Sequence, residues 1–245
     1  MFSKSYIPNT VTALNVFSGF ISIIYAYQGD FYLASIWIFI AAIFDLSDGI
    51  VARLLNTSSE FGVQLDSLAD VISFGAAPSF LLYSSYLKNM GIAGITISSL
   101  LLLFGSFRLA RFNVQLEEIH KKGDFCGLPI PLSAATVATL VISLTKDNKI
   151  NHPYDYYVIP LVLLLSFLMV SKIRYNAFPR VHRAMFREKP VYLGLIIIAL
   201  VLVIVTDGQA IFYLFIAIIF FGIFRYLYFL IFHKHSNEVT PKNFT

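Results

Sequence analysis

Residues 31–55 read FYLASIWIFIAAIFDLSDGIVARLL. Phe31 to Phe44 carry no charge, and a helix needs about 20 apolar residues to cross a hydrocarbon core of about 30 Å. The same stretch then carries Asp45, Asp48 and Arg53 before it ends at Leu55. Ionisable side chains inside a membrane span are costly, and their default reading is functional. The stretch therefore predicts a transmembrane helix with a site built into one end of it.

Outward from it, apolar runs near 8–27, 60–87, 91–115, 129–145, 154–173, 190–206 and 209–232 predict further spans. The breaks between them carry turn chemistry, as at Gly29-Asp30, Asn56-Thr57-Ser58-Ser59, Asn89-Met90-Gly91, Lys122-Gly123-Asp124, Asp147-Asn148-Lys149 and Asp207-Gly208. Composition agrees. The 245 residues are 58% hydrophobic and 13% charged, with a mean hydropathy of +0.75, against about 45–50% and about 25% in soluble domains. A disordered chain, a nucleic-acid-binding tail and an ordinary cytosolic enzyme are excluded. No fixed-period repeat divides the chain. The expected fold is all-α: a polytopic membrane helix bundle of about eight transmembrane helices, in a single integral-membrane domain over residues 1–245.

An even number of spans puts both termini on one side. Of the 18 Lys and Arg residues, all but Lys88, Lys146 and Lys149 fall on that side, which makes it cytoplasmic. The run from Arg174 to Lys189 reads as a basic loop with aromatic anchors, or as a surface that gathers anionic headgroups. Cys126 is alone and forms no internal disulfide. No small-residue cleavage site follows a short apolar core, so no detachable signal peptide is expected.

The next span carries Gly62, Asp66 and Asp70. Asp45 and Asp48 are i,i+3 and Asp66 and Asp70 are i,i+4, so each pair shares a helical face. A short turn near 56–60 makes the two helices antiparallel neighbours, and the four carboxylates can converge. Four anions in a confined site need partners. Arg53 is one; protons or divalent cations must supply the rest. Oxygen-only ligands favour Mg²⁺, Mn²⁺ or Ca²⁺, and no Cys/His cluster speaks for zinc. Two ions bridged by carboxylates stabilise attacking and leaving oxygens in phosphoryl chemistry. Gly49 lets a ligand approach the backbone beside Asp48, and Arg53 offers a planar fork to phosphate. Gly62 allows close helix approach, although simple packing explains a lone glycine as well.

The pattern Asp45-x2-Asp48-Gly49-x2-Ala52-Arg53-x8-Gly62-x3-Asp66-x3-Asp70 resembles the signature of the CDP-alcohol phosphotransferase family at every fixed position. The stretches Pro8–Asn15, Asp66–Pro78, Arg108–Asn113 and Phe125–Pro131 are similar to the integral-membrane phosphatidylserine synthases. Leu132 and Ser133 stand where that last stretch usually continues with alanines. The resemblance implies a six-helix core, over about residues 8–173, with two added spans over about 190–232. It implies a homodimer with no nucleic-acid partner, in a prokaryotic inner membrane with its site cytoplasmic. The implied reaction moves a phosphatidyl group from CDP-diacylglycerol to L-serine, releasing CMP. Asp45, Asp48, Asp66 and Asp70 would be ligands of Mg²⁺ or Mn²⁺, with Ca²⁺ the further candidate and two ions expected, and Asp70 would also be the base. Gly49, Arg53 and Ser59 match positions that contact the CDP part of the donor, and Asn9 and Thr12 approach it from the first helix.

Arg108 and Arg111 are read either as membrane anchors or as groups that hold the serine carboxylate or the phosphatidyl phosphate. Arg225 reads as snorkelling. His120, His152, His182, His233 and His235 show no ligand spacing. Two alternatives stay open: glycerol 3-phosphate as acceptor, in a phosphatidylglycerophosphate synthase, and a cation transporter.

Overall fold

Long apolar runs become helices because, away from water, only intrahelical bonds satisfy the backbone. The computed structural model describes residues 6–55, 57, 59–118, 127–146, 149–150, 157–171, 173 and 209–233. Among these residues the helices are α1 (Tyr6–Gln28), α2 (Phe31–Leu55), α3 (Glu60–Ser85), α4 (Ile92–Glu118), α5 (Ile130–Leu144), α6 (Val158–Val170) and α7 (Gln209–His233). A two-residue antiparallel pair, Thr145–Lys146 with Lys149–Ile150, follows α5. Among the described residues, four helices are long and apolar enough to cross a membrane: Tyr6–Gln28, Glu60–Ser85, Ile92–Val114 and Ala210–Tyr228. α2, at 25 residues, matches them in length. The chain is a polytopic helical membrane protein. The expected span at 190–206, the 174–189 loop and Cys126 lie outside the described residues.

The turn at Gly29-Asp30 works as read, whereas those at 122–124, 147–148 and 207–208 lie outside the described residues. Gly29, at φ +85°, ends α1 in a Schellman motif: Asp30 N donates to Tyr25 O (3.0 Å) and Gly29 N to Ala26 O (3.3 Å). Asp30 Oδ1 then accepts from Leu33 N (3.0 Å) and caps α2. Packing between α1 and α2 is close because small residues line it. Ala26, Ala34 and Ala41 are fully buried, and Ser22 Oγ donates to the Ala34 carbonyl (2.7 Å).

α3 is continuous in space but not regular. Glu60–Asp70 is α-helical, Val71–Ala76 is a π turn, and Ala77–Ser85 is α-helical again. Pro78 offers no N–H to Phe74 and its ring would crowd that carbonyl, so the helix widens just before it. The π turn seats Ser73 against α1, where its Oγ donates to the Asn15 carbonyl (2.9 Å). A Cβ on Gly19 would sit 2.7 Å from the Ser73 Cα, so that contact requires glycine.

α2 and α3 are close only over part of their lengths. α1 packs along the whole of α3, whereas α2 packs on its second half. The pair thus opens towards its connecting turn, and α1 forms the floor of the gap. The short turn keeps the two helices antiparallel neighbours, and the gap between them leaves a cleft.

α5 and α6, 15 and 13 residues long, are shorter than the spans expected at 129–145 and 154–173. Proline at 129 and 131 delays α5, and the chain before it enters the bundle in non-helical form. Irregular backbone at membrane depth must find its partners inside the protein. Gly127 N donates to Ile173 O (2.8 Å) and Leu128 N to Leu168 O (3.0 Å), both at the end of α6. Arg111 Nη1 donates to Val170 O (3.0 Å) at the same end. Gly127 has φ +91°, and a Cβ there would run into the Met169 carbonyl. Gly127→Ala should therefore lower stability by about 1–3 kcal/mol, read as earlier thermal unfolding in detergent. An unchanged melting temperature would show that the segment tolerates a side chain.

Candidate active site

On α2 the outward face is apolar: Ile43, Leu46, Ile50 and Leu54 are exposed. The acids lie on the other face. One carboxylate oxygen from each of Asp45, Asp48 and Asp66 lies within 4.8 Å of the others. Asp70, one turn further along α3, lies outside that triad and interacts electrostatically with Asp45. Thr12 on α1 donates from Oγ1 to Asp48 Oδ2 (2.8 Å), so the floor of the cleft orients one of the acids.

The cleft has a volume of about 180 Å³. Its walls are Pro8, Asn9 and Thr12 from α1, Asp48, Gly49 and Ala52 from α2, Thr57 and Ser59 from the turn, and Gly62, Val63 and Asp66 from α3. A larger cavity of about 630 Å³ lies between α5, α6 and α7, but its lining is apolar apart from Ser143, Tyr157 and Tyr213. Chemistry rather than size points to the smaller one.

Most of the residues singled out from the sequence meet here. Gly49 has open space where a side chain would be. Ser59 has two roles open to it: its Oγ accepts from Gly62 N (3.0 Å) and caps α3, and its proton remains free to face the cleft. Gly62 is needed for closeness, since a Cβ would lie 3.1 Å from Ser59 Oγ and 3.4 Å from Asn9 Oδ1. Arg53, on the last turn of α2, is exposed and does not line the cleft. Arg225 lies in α7, away from these walls.

The two arginines of α4 separate. Arg108 interacts electrostatically with Asp70, and its buried Nε has no hydrogen-bond partner. Arg111 caps the end of α6 through Val170.

Three features carried no role in the sequence reading. Asn113 Nδ2 donates to Ser67 Oγ (3.0 Å), tying α4 to the α3 turn between Asp66 and Asp70. Gly127 makes room for the α6 carbonyls. Asn15 is fully buried with both amide atoms unpartnered. The signal for Asn15 was present: an uncharged polar residue three positions after Thr12 in an apolar span.

The residues fit hard divalent cations. Metal–oxygen distances of about 2.0–2.6 Å allow two ligand oxygens on one ion to stand about 4–5 Å apart, as the triad does. Three carboxylates this close repel one another, and a divalent cation held among them would remove that cost.

Comparison with known proteins bears on the same residues. The family model described as CDP-alcohol phosphatidyltransferase matches residues 5–168. A CDP-diacylglycerol–serine O-phosphatidyltransferase of Helicobacter pylori is 38% identical over 234 residues, covering 94% of this chain and 96% of that protein. A protein of the same name from Methanocaldococcus jannaschii is 37% identical, over 71% of this chain and 75% of its own. The archaetidylserine synthase of Methanothermobacter thermautotrophicus is 36% identical, over 71% and 70%. The matched region runs from the start of α1 almost to the end of α6 and takes in every wall of the cleft, so the chain belongs to the CDP-alcohol phosphatidyltransferase family.

Proposed function

We propose that the chain transfers the phosphatidyl group of CDP-diacylglycerol to L-serine, giving phosphatidylserine and CMP. The observation that carries this reading is the convergence of Asp45, Asp48 and Asp66 at a cleft, with Asp70 beside them. The names of its relatives supply serine as the acceptor. Asp45, Asp48 and Asp66, with Asp70, would hold one or two Mg²⁺ or Mn²⁺ ions, or Ca²⁺, which when bound neutralise the donor pyrophosphate and stabilise CMP as leaving group.

This chain's own residues do the rest. Asn9, Gly49 and Ser59 receive the CDP part from the turn side of the cleft, and Thr12 fixes Asp48. Arg53, next in sequence to the wall residue Ala52, would meet donor phosphate. Asp70 takes the proton of the serine hydroxyl as its oxygen attacks the diacylglycerol-side phosphorus. The phosphorus–oxygen bond to CMP breaks as the new one forms. Arg108 pairs with the serine carboxylate. The site faces the cytoplasm, and the protein works as a homodimer.

An acceptor panel tests the reading. Purified protein with CDP-diacylglycerol and Mn²⁺ should release CMP with serine and not with glycerol 3-phosphate or inositol. Chelation of divalent cations should stop release, and Mg²⁺ or Mn²⁺ should restore it. Preference for glycerol 3-phosphate would move the chain to the phosphatidylglycerophosphate reaction. Metal flux into vesicles without CMP release would favour transport. Sidedness is tested separately, in a protein without Cys126. Thr57→Cys should react only once the cytoplasmic face is opened, and Lys88→Cys should react from outside. The reverse pattern would put the cleft on the other face.

A further inference from the structure

Several buried polar atoms have no partner among the described residues, and they include both amide atoms of Asn15, Oδ1 of Asp70 and Nε of Arg108. Asn15 is 0% exposed. A buried side-chain amide with no partner is a cost that folding alone does not explain.

Three contacts fix where it sits. Thr12 on α1 bonds to Asp48 on α2 (2.8 Å), and these helices run antiparallel. Moving three residues along each, by equal rise, brings Asn15 to the level of Asp45. Ser73 Oγ bonds to the Asn15 carbonyl (2.9 Å), which sets Asn15 beside the turn that follows Asp70. Asn15 therefore stands at the level of Asp45, beside the π turn that begins after Asp70. Arg108 reaches Asp70 from the α4 side.

We infer that Asn15 is a specificity-determining residue for the acceptor: its buried amide oxygen receives the α-ammonium of an amino-acid alcohol whose carboxylate lies on Arg108. This rests on the serine reading above and adds the group that recognises the amine. An amide suits the task, because Oδ1 accepts from an ammonium while Nδ2 donates to a carboxylate. The arrangement puts the cation of the acceptor among the acids and its anion on the arginine, with the hydroxyl left for Asp70. An acceptor without an amine would leave Oδ1 unpartnered, and sites built to bond an N–H reject analogues that lack it.

The test compares L-serine with 3-hydroxypropanoate, which has the hydroxyl and the carboxylate but no amine. Wild-type protein should prefer serine in kcat/KM. Asn15→Leu, close in volume, should lose roughly 10–100-fold in kcat/KM for serine, about the worth of one hydrogen bond to a charged group. Its activity with 3-hydroxypropanoate and its KM for CDP-diacylglycerol should stay within about twofold, so the two acceptors converge. Its melting temperature should hold or rise, since an unpaired amide has been removed from the core. If Asn15→Leu does not fold, Asn15→Ala removes the same amide and is read by the same ratio. An unchanged preference for serine, or an equal loss with both acceptors and the donor, overturns the inference. Wild-type protein that releases CMP with another alcohol but not with serine overturns the serine reading instead.

Discussion

Asp70→Asn is expected to cut CMP release by about 10²–10⁴-fold, the usual worth of a general base, while CDP-diacylglycerol still binds in a metal-dependent way. The argument is geometric. Asp70 lies outside the compact triad of Asp45, Asp48 and Asp66, whose oxygens are mutually within 4.8 Å. It interacts by charge with Asp45 and with Arg108. One of its oxygens is buried without a partner among the described residues and so is available to a substrate hydroxyl. Asparagine keeps the size and offers an amide donor to the neighbouring acids, so the cluster should persist while basicity is lost. Asp45→Asn and Asp66→Asn should behave differently, losing donor binding and turnover together. Donor binding and turnover, measured on the same preparations across a Mn²⁺ titration, separate the two. If high metal brings Asp70→Asn near wild-type turnover, Asp70 is a ligand only, and the proton leaves by another route.

The contrast between these aspartates was only partly legible in the sequence. Spacing at i,i+3 and i,i+4 is local, and it placed each pair on one face. Which three of the four converge depends on how α2 and α3 diverge towards their turn, and that follows from tertiary packing against α1. The π turn after Asp70 was equally hidden, because it arises where Pro78 meets an otherwise helical apolar run. Turns were readable, since Gly29-Asp30 and Ser59 act through nearest neighbours. Gly127 was not. Its left-handed backbone is set by carbonyls of Leu168 and Met169, about 40 residues away in sequence, a separation beyond the reach of any local turn rule. Hydropathy found α5 and α6 but overstated them, because apolar character does not register that Gly127 and Leu128 are buried without being helical.

Arg108 and Arg111 looked equivalent at i,i+3, and their substitution by lysine should now pull them apart. Arg108→Lys is expected to raise the KM for serine by roughly 10–100-fold with the KM for CDP-diacylglycerol nearly unchanged. Lysine keeps the charge but loses the planar fork that grips a carboxylate at two points, and a loss confined to acceptor binding appears in that KM. Arg108 suits the role because it faces Asp70 and its Nε is buried and unpartnered. Arg111 is engaged elsewhere. Its guanidinium holds the Val170 carbonyl at the end of α6 and lies 3.4 Å from where a Cβ on Gly127 would be. Arg111→Lys should therefore lower the melting temperature and leave serine kinetics intact, because it loosens a helix end rather than a substrate contact. Steady-state kinetics with serine varied at saturating donor, alongside thermal unfolding in the same detergent, decide between them. A serine KM that rises in Arg111→Lys and not in Arg108→Lys would reverse the assignment, and no change in either would leave both arginines as anchors of α4 at the membrane face.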